Sequence, residues 1–217
     1  MLRIRHVYKT YQNDRHILRD LNFEISESGL YYITGNSGSG KTTLFKLITA
    51  IAKPTSGEIF FKNQNISTLL PEGVSNFRKK IGILFQDYKL IPDINIYENI
   101  ALPLKIQKNS ASEISKKMDQ MTEQLGLRSF MNEYPEHISG GQQQKSALAR
   151  AIVHNPSLII ADEPTGNLDP QNSADVVQIL ADCASAGALV LIATHDQTII
   201  QKTSAKIFKL LNGQIIL

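Results

Sequence analysis

Hydrophobic and polar residues alternate with a period of two over Leu2 to Val7 and again over Ile17 to Ile25. A half-buried strand produces that alternation, because successive side chains face opposite sides of a sheet. The β-rich run Leu30 to Thr34 follows, so the chain is expected to open with three strands joined by polar turns. The period then changes: behind a stretch rich in glycine and serine, Gly35 to Gly40, the residues Leu44, Leu47, Ile48 and Ile51 fall at helical spacing. Lys53 to Gly57 reads as a turn, Glu58 to Phe61 as a short strand and Ile81 to Phe85 as a buried one, with polar connectors beside them. From Asp87 to Arg128 the pattern is helical, with Ile114, Met118, Met121 and Leu125 at steps of three and four ending near Gly126. Two apolar runs, Leu158 to Ala161 and Leu189 to Ala193, bracket a helix expected over Asn172 to Ala184. Strand, helix, strand in that order builds a parallel sheet, so the fold class is α/β with a helical insertion in the middle.

Composition changes this picture little. The 217 residues, 42% hydrophobic and 20% charged, suit one sizeable core. With 23 basic against 20 acidic residues, the net charge of +3 is too mild and too dispersed to require a nucleic-acid partner. The single cysteine, Cys183, cannot form an internal disulfide, which fits a reducing compartment. No run approaches the ~18 apolar residues of a membrane span, so work at a membrane would need another anchor.

Three local patterns carry chemistry. Gly35-Asn36-Ser37-Gly38-Ser39-Gly40-Lys41-Thr42 fits G-x-x-x-x-G-K-[ST], which chance places in about one per cent of chains this long. Its glycines let the loop fold back and present backbone N–H groups to phosphate oxygens, and the following helix aims its positive end at the same place. Lys41 would reach the β and γ phosphates as a point charge, and the Thr42 hydroxyl would coordinate Mg²⁺, a hard cation. A plain strand-to-helix turn would need neither. The apolar run Leu158 to Ala161 ends in Asp162 and Glu163, at the sheet edge where such folds bind ligands. Asp162 would hold Mg²⁺; Glu163, leaving the strand on the other side, would face the attacking water as a general base. Ile138-Ser139-Gly140-Gly141-Gln142 precedes a helical pattern containing Ala147, Leu148, Ala149 and Ile152, so Ser139 sits where an N-cap belongs. The second glycine bares another helix N-terminus to an anion.

At this point the sequence resembles the ATP-binding-cassette ATPases, whose signature is L-S-G-G-Q. The resemblance covers essentially the whole chain, with Gln86 after a strand, Gly166-Asn167-Leu168-Asp169 after the acidic pair, His195 after the last apolar strand and Tyr11 ahead of the loop. It implies one ATP-binding domain over residues 1–217: a P-loop NTPase core with a mainly parallel sheet, an N-terminal antiparallel β subdomain and an α-helical signature subdomain over about 87–155. It implies ATP and Mg²⁺ as cofactors and a head-to-tail homodimer, each ATP lying between one copy's phosphate loop, including Thr43, and the other copy's signature. By position, Ser139 and Gly141, with Gly140 and Gln142 beside them, would bind the γ-phosphate across the interface, and Tyr11 would stack on adenine. Gln86 would sense Mg²⁺ and water, His195 would hold the γ-phosphate and Asp169 would link the two sites. Ile138 replaces the usual leucine, Lys145 a usual arginine, and Leu30 stands where a glutamate is frequent. None of these removes a catalytic group, so hydrolysis is expected to be intact.

Within the family, Ala161-Asp162-Glu163-Pro164-Thr165-Gly166-Asn167-Leu168-Asp169 and the stretch Ile96 to Leu104 resemble the group of lipoprotein-release, macrolide-efflux and cell-division ATPases, most of all the division members. That implies an integral membrane partner, of the division type or a permease, and a peripheral place on the cytoplasmic face of a bacterial plasma membrane. Chromosome-associated cassettes need a long coiled coil and translation cassettes come in linked pairs, and neither pattern is seen here. A regulatory module that uses ATP to dimerise and seldom hydrolyses it stays open. The apolar segment Tyr88 to Ile94 is expected either to dock the partner or to fill the helical subdomain's core.

Overall fold

The computed structural model describes residues 1–11, 15–166, 168–201, 203 and 205–216. Alternation at the amino end does give three strands: β1 (Leu2–Tyr11), β2 (Arg15–Ile25) and β3 (Gly29–Thr34). Helix α1 (Lys41–Ile48) follows, then β4 (Ser56–Phe61), β5 (Gln64–Asn65), α2 (Pro71–Arg78) and β6 (Ile81–Leu84). Three helices occupy the middle of the chain: α3 (Ile96–Ile106), α4 (Ala111–Gln124) and α5 (Gly140–Ile152). The chain then runs through β7 (Leu158–Asp162), α6 (Pro170–Ser185), β8 (Leu189–Ala193), α7 (Gln197–Gln201), β9 (Lys206–Leu211) and β10 (Gln214–Ile216).

Two sheets result. An antiparallel sheet has the order β2-β1-β4-β5, and a six-stranded sheet the order β10-β9-β3-β8-β7-β6, parallel except for β10. Side chains of the parallel strands alternate between two cores. Leu158, Ile160, Leu189 and Leu191 point into a core shared with α1 and the antiparallel sheet. Ile159, Ala161, Val190 and Ile192 point into the core shared with α3, α5 and α6. Both faces are thus covered, which is why β7 and β8 read as continuous apolar runs. This is the P-loop NTPase arrangement expected from the sequence.

The structure corrects the pattern in three places. Helix α1 stops at Ile48, and Ile51 lies beyond it, 42% exposed. Ala50 takes a left-handed φ of 55°, and Arg78 donates to the carbonyls of Thr49 and Ala50, supplying the last turn with a cation. The stretch expected to be a polar connector contains α2, whose one fully buried residue, Phe77, leaves no periodicity to read. The carboxyl-terminal hairpin of β9 and β10, which turns at Asn212-Gly213, was not anticipated, although Asn-Gly is a strong hairpin signal. The expected docking segment divides: Leu90 packs against the core while Ile91 is exposed. Among the described residues, no helix is long and apolar enough to cross a membrane.

Candidate functional site

Four neighbouring parallel strands end on one edge, and each delivers an expected site residue at its last position or just past it. Strand β3 runs into the loop Gly35 to Gly40, β8 into His195, β7 into Asp162 and Glu163, and β6 into Gln86. The register pairs Leu84 with Ala161, Asp162 with Ala193 and Ile33 with Ala193, so these ends are level. A cleft of about 1020 Å³ opens along this edge, lined by Gly35, Asn36, Ser37, Gly38, Gly40, Lys41, Thr42 and Thr43 on one side and Gln86, Asp162, Glu163 and His195 on the other.

The loop is shaped for close approach. A Cβ on Gly35 would lie 2.3 Å from the Leu210 carbonyl oxygen, and Gly40, at φ 107°, caps α1 from the left-handed region. Lys41 Nζ crosses the loop to the carbonyls of Gly35 and Asn36 at 2.7 and 3.2 Å. The buried Ser39 Oγ has no hydrogen-bond partner among the described residues, a polar atom in a loop built for polar ligands.

Opposite the loop, Thr42 donates its hydroxyl to Asp162 Oδ2 at 2.9 Å. A hydroxyl and a carboxylate oxygen this close match the oxygen preference of Mg²⁺, which completes its shell from phosphates and water. Burial pushes the Asp162 carboxyl above its ordinary value; the Thr42 hydrogen bond opposes this and the neighbouring Glu163 charge adds to it. Glu163 takes a left-handed φ of 49°, turning its side chain away from Asp162's course, and its Oε1 accepts a hydrogen bond from His195 Nδ1 at 2.8 Å. Since a carboxylate only accepts, Nδ1 carries the proton, and Nε2 can donate to a phosphate only in the doubly protonated ring. Glu163 is largely buried and His195 open to solvent, with side-chain exposures of 14% and 79%.

The remaining expected residues stand outside this cleft. Ser139 caps α5 through a reciprocal pair, its Oγ accepting from Gln142 N at 3.3 Å and its N–H donating to Gln142 Oε1 at 2.8 Å. Gly140 and Gly141 follow in the first turn, and a Cβ on Gly141 would sit 3.3 Å from Leu168 Cδ2. Asp169 caps α6, accepting from the N–H groups of Gln171 and Asn172 and from the Asn172 amide; the Asn172 backbone bond foremost holds its carboxyl below the ordinary value. Asn167 lies outside the described residues. Tyr11, 42% exposed, does not line the cleft, and the Lys9 ammonium lies 5.0 Å from its ring centroid. Sequence reasoning missed Ile17, from β2, and Lys209, from β9, which line the cleft by tertiary placement alone.

Comparison with known proteins agrees with this arrangement. The sequence pattern of the ABC transporter family matches residues 18–166. The chain belongs to the ABC transporter family and is an ATPase. The cassette is 35% identical over 216 residues to the cell division ATP-binding protein FtsE of Bacillus subtilis, covering 100% of this chain and 95% of that protein. It is 36% identical over 215 residues to FtsE of Escherichia coli, covering 99% and 97%. Its fold superposes on the ATP-binding cassette MJ0796, solved as a dimer in a post-hydrolysis state with ADP and Pi, with a TM-score of 0.92, 33% identity and coverage of 100% and 97%.

Proposed function

We propose that the cassette works as a homodimer around two ATP molecules and drives an integral membrane partner, FtsX-like, in bacterial cell division and the control of cell-wall hydrolases. The observation that carries this reading is the split site. Phosphate loop, metal ligands and base share one cleft, while the signature helix presents its N-terminus elsewhere, on exposed Ser139 and Gly140. A second copy, placed head to tail, would supply that N-terminus to the γ-phosphate. The dimeric MJ0796 structure and the FtsE relatives support the same reading.

In this scheme the loop N–H groups and Lys41 hold the β and γ phosphates, and Tyr11 stacks on adenine. Mg²⁺, held by Thr42 and Asp162, would neutralise the charge that develops between those phosphates. Glu163 takes a proton from the attacking water, His195 steadies Glu163 and the γ-phosphate, Gln86 orients the water, and Asp169 ties one site to the other. No nucleic acid takes part. The membrane partner docks in the apolar groove between α2 and α3, of about 550 Å³, where Val74, Phe85, Ile91, Pro103 and Ile106 face outward. The cassette then sits on the cytoplasmic face of the plasma membrane, and residues 87–155 act as its helical signature subdomain.

Mixing Ser139→Arg with Lys41→Ala protein tests the shared site, since one composite site of the mixed dimer carries both lesions and the other neither. ATP hydrolysis should return on mixing; none at any ratio, with mixed dimers demonstrated, would defeat it. Ile91→Asp with Ile106→Asp tests docking: the variant should fold, bind ATP and fail to co-sediment with membranes containing the partner. A folded variant that still sediments would refute the groove. A lipoprotein-release or exporter role would show as a larger permease recovered in place of a four-span partner with one large extracellular loop.

A further inference from the structure

Arg150 lies in α5, the helix that the signature opens, yet its guanidinium reaches away from the signature. Nη1 donates to Asn99 Oδ1 at 3.2 Å and Nη2 to the Tyr88 carbonyl at 2.7 Å. Asn99, in α3, is fully buried. Its Oδ1 also accepts from Ile91 N at 2.8 Å, and its Nδ2 donates to the carbonyls of Ile91, Ile94 and Asn95 at 3.0, 3.1 and 3.1 Å. Two side chains from two helices therefore grip the backbone of one segment, 88–95, at both of its ends.

That segment is strained. Tyr88 and Lys89, consecutive and neither of them glycine, take φ of 59° and 50°. Left-handed backbone at such residues persists only where the surroundings over-determine it: Tyr88 N–H donates to the Phe85 carbonyl and Lys89 N–H to the Asp87 carbonyl, Arg150 pins the turn at the Tyr88 carbonyl, and Asn99 pins the chain leaving it at Ile91. Just ahead of the strained pair, Gln86 lines the phosphate cleft. The Tyr88 hydroxyl lies 3.9 Å from where a Cβ on Gly140 would stand, so the turn also adjoins the signature.

We propose that Arg150 and Asn99 are positioning residues for hydrolysis: by clamping segment 88–95 in its left-handed turn, they fix where Gln86 stands in the phosphate cleft. The proposal rests on the reading of Gln86 as the residue that orients the attacking water. Neither Arg150 nor Asn99 lines the phosphate cleft, so their effect falls on turnover and not on ATP affinity.

Lys89 separates turn shape from side-chain chemistry. It is exposed, and its ion pair with Asp87, at 2.7 Å, is a surface pair of little weight. Proline cannot hold a φ of 50°, whereas glycine holds it freely. Steady-state hydrolysis of Mg-ATP by the whole chain should show Lys89→Gly at the wild-type rate and Lys89→Pro with kcat down about tenfold and KM for ATP within about twofold. Arg150→Lys should lower kcat in the same way, because an ammonium lacks the planar fork that reaches Asn99 and Tyr88 together. Lys89→Val, which keeps the N–H but fits a positive φ poorly, repeats the test should the proline variant fail to melt cooperatively. A folded Lys89→Pro or Lys89→Val with undiminished kcat overturns the clamp, as does an equal loss in Lys89→Gly or a KM that rises as kcat falls. Gln86→Ala, measured alongside, tells the two readings apart. If it alone loses turnover, the clamp is refuted and the role of Gln86 stands; if it turns over normally, the underlying reading of Gln86 fails.

Discussion

Replacing Glu163 by glutamine should leave the cassette folded and able to bind ATP while nearly stopping hydrolysis. Glutamine has the same heavy-atom count, its amide oxygen can still accept from His195 Nδ1 at the observed 2.8 Å, and the left-handed φ of 49° burdens both residues alike. Because a largely buried hydrogen bond loses its charge, stability should fall by about 1 kcal/mol, which leaves the fold intact. In the proposed role, what disappears is the proton acceptor for the attacking water. General-base catalysis contributes about 10²–10⁴-fold, which at 1.36 kcal/mol per decade is a barrier higher by roughly 2.7–5.4 kcal/mol. Phosphate release at saturating Mg-ATP reads the rate, calorimetry reads ATP affinity, and size exclusion in Mg-ATP reads the dimer, which should persist once chemistry is blocked. A variant turning over at more than about a tenth of the wild-type rate would show that Glu163 is not the base. One that stays monomeric where wild type dimerises would count against the shared site.

Gly82→Ala should destabilise the fold, because a Cβ there would lie 2.1 Å from the Ala151 carbonyl oxygen and 3.1 Å from Pro156 Cγ. Overpacking of roughly 1–3 kcal/mol, at about 2–4 °C per kcal/mol for a chain of this size, predicts a Tm lower by about 2–12 °C, and an unchanged melt would contradict the packing described. His154 supplies a pH dependence: burial lowers its pKa from 6.5, opposed by its bond to the Ile81 carbonyl. The unfolded chain takes up a proton that the folded one resists, so stability is held above about pH 6.5 and falls as pH drops below it toward the lowered folded value. Denaturant midpoints between pH 7 and 5 should fall less steeply in His154→Asn, and parallel slopes would exclude His154 as the cause.

What was legible in the sequence was local. The phosphate loop, the acidic pair and the signature each compress their chemistry into a few adjacent residues, and each lies where a strand ends or a helix begins. Ser139 as a cap followed from residue type alone, since few side chains can serve N3 from that position. Asn99 and Arg150 were missed because a polar residue at a buried helical position looks like a break in the pattern; only the fold brings segment 88–95 within their reach. Ile17 and Lys209 were invisible for a similar reason, as strands distant in sequence carry them to the cleft. Helix α2 escaped notice because a helix with one buried residue has no stripe.

The edge along which the site is built also sets its tolerance to change. Gly35, His195, Asp162 and Gln86 stand at or just past the ends of strands β3, β8, β7 and β6 in the spatial order of the sheet, each strand fixed by a parallel ladder to its neighbour. One residue more or fewer in any of these strands displaces its group by about 3.3 Å and turns every side chain of the strand to the opposite face. Hydrogen bonds of 2.8 and 2.9 Å, such as His195 to Glu163 and Thr42 to Asp162, do not survive such a step. Isoleucine, leucine and valine can trade places within β6, β7 and β8 at modest cost, but an insertion or deletion there breaks the geometry of the cleft, and the length of each strand specifies the site as much as the acid at its end.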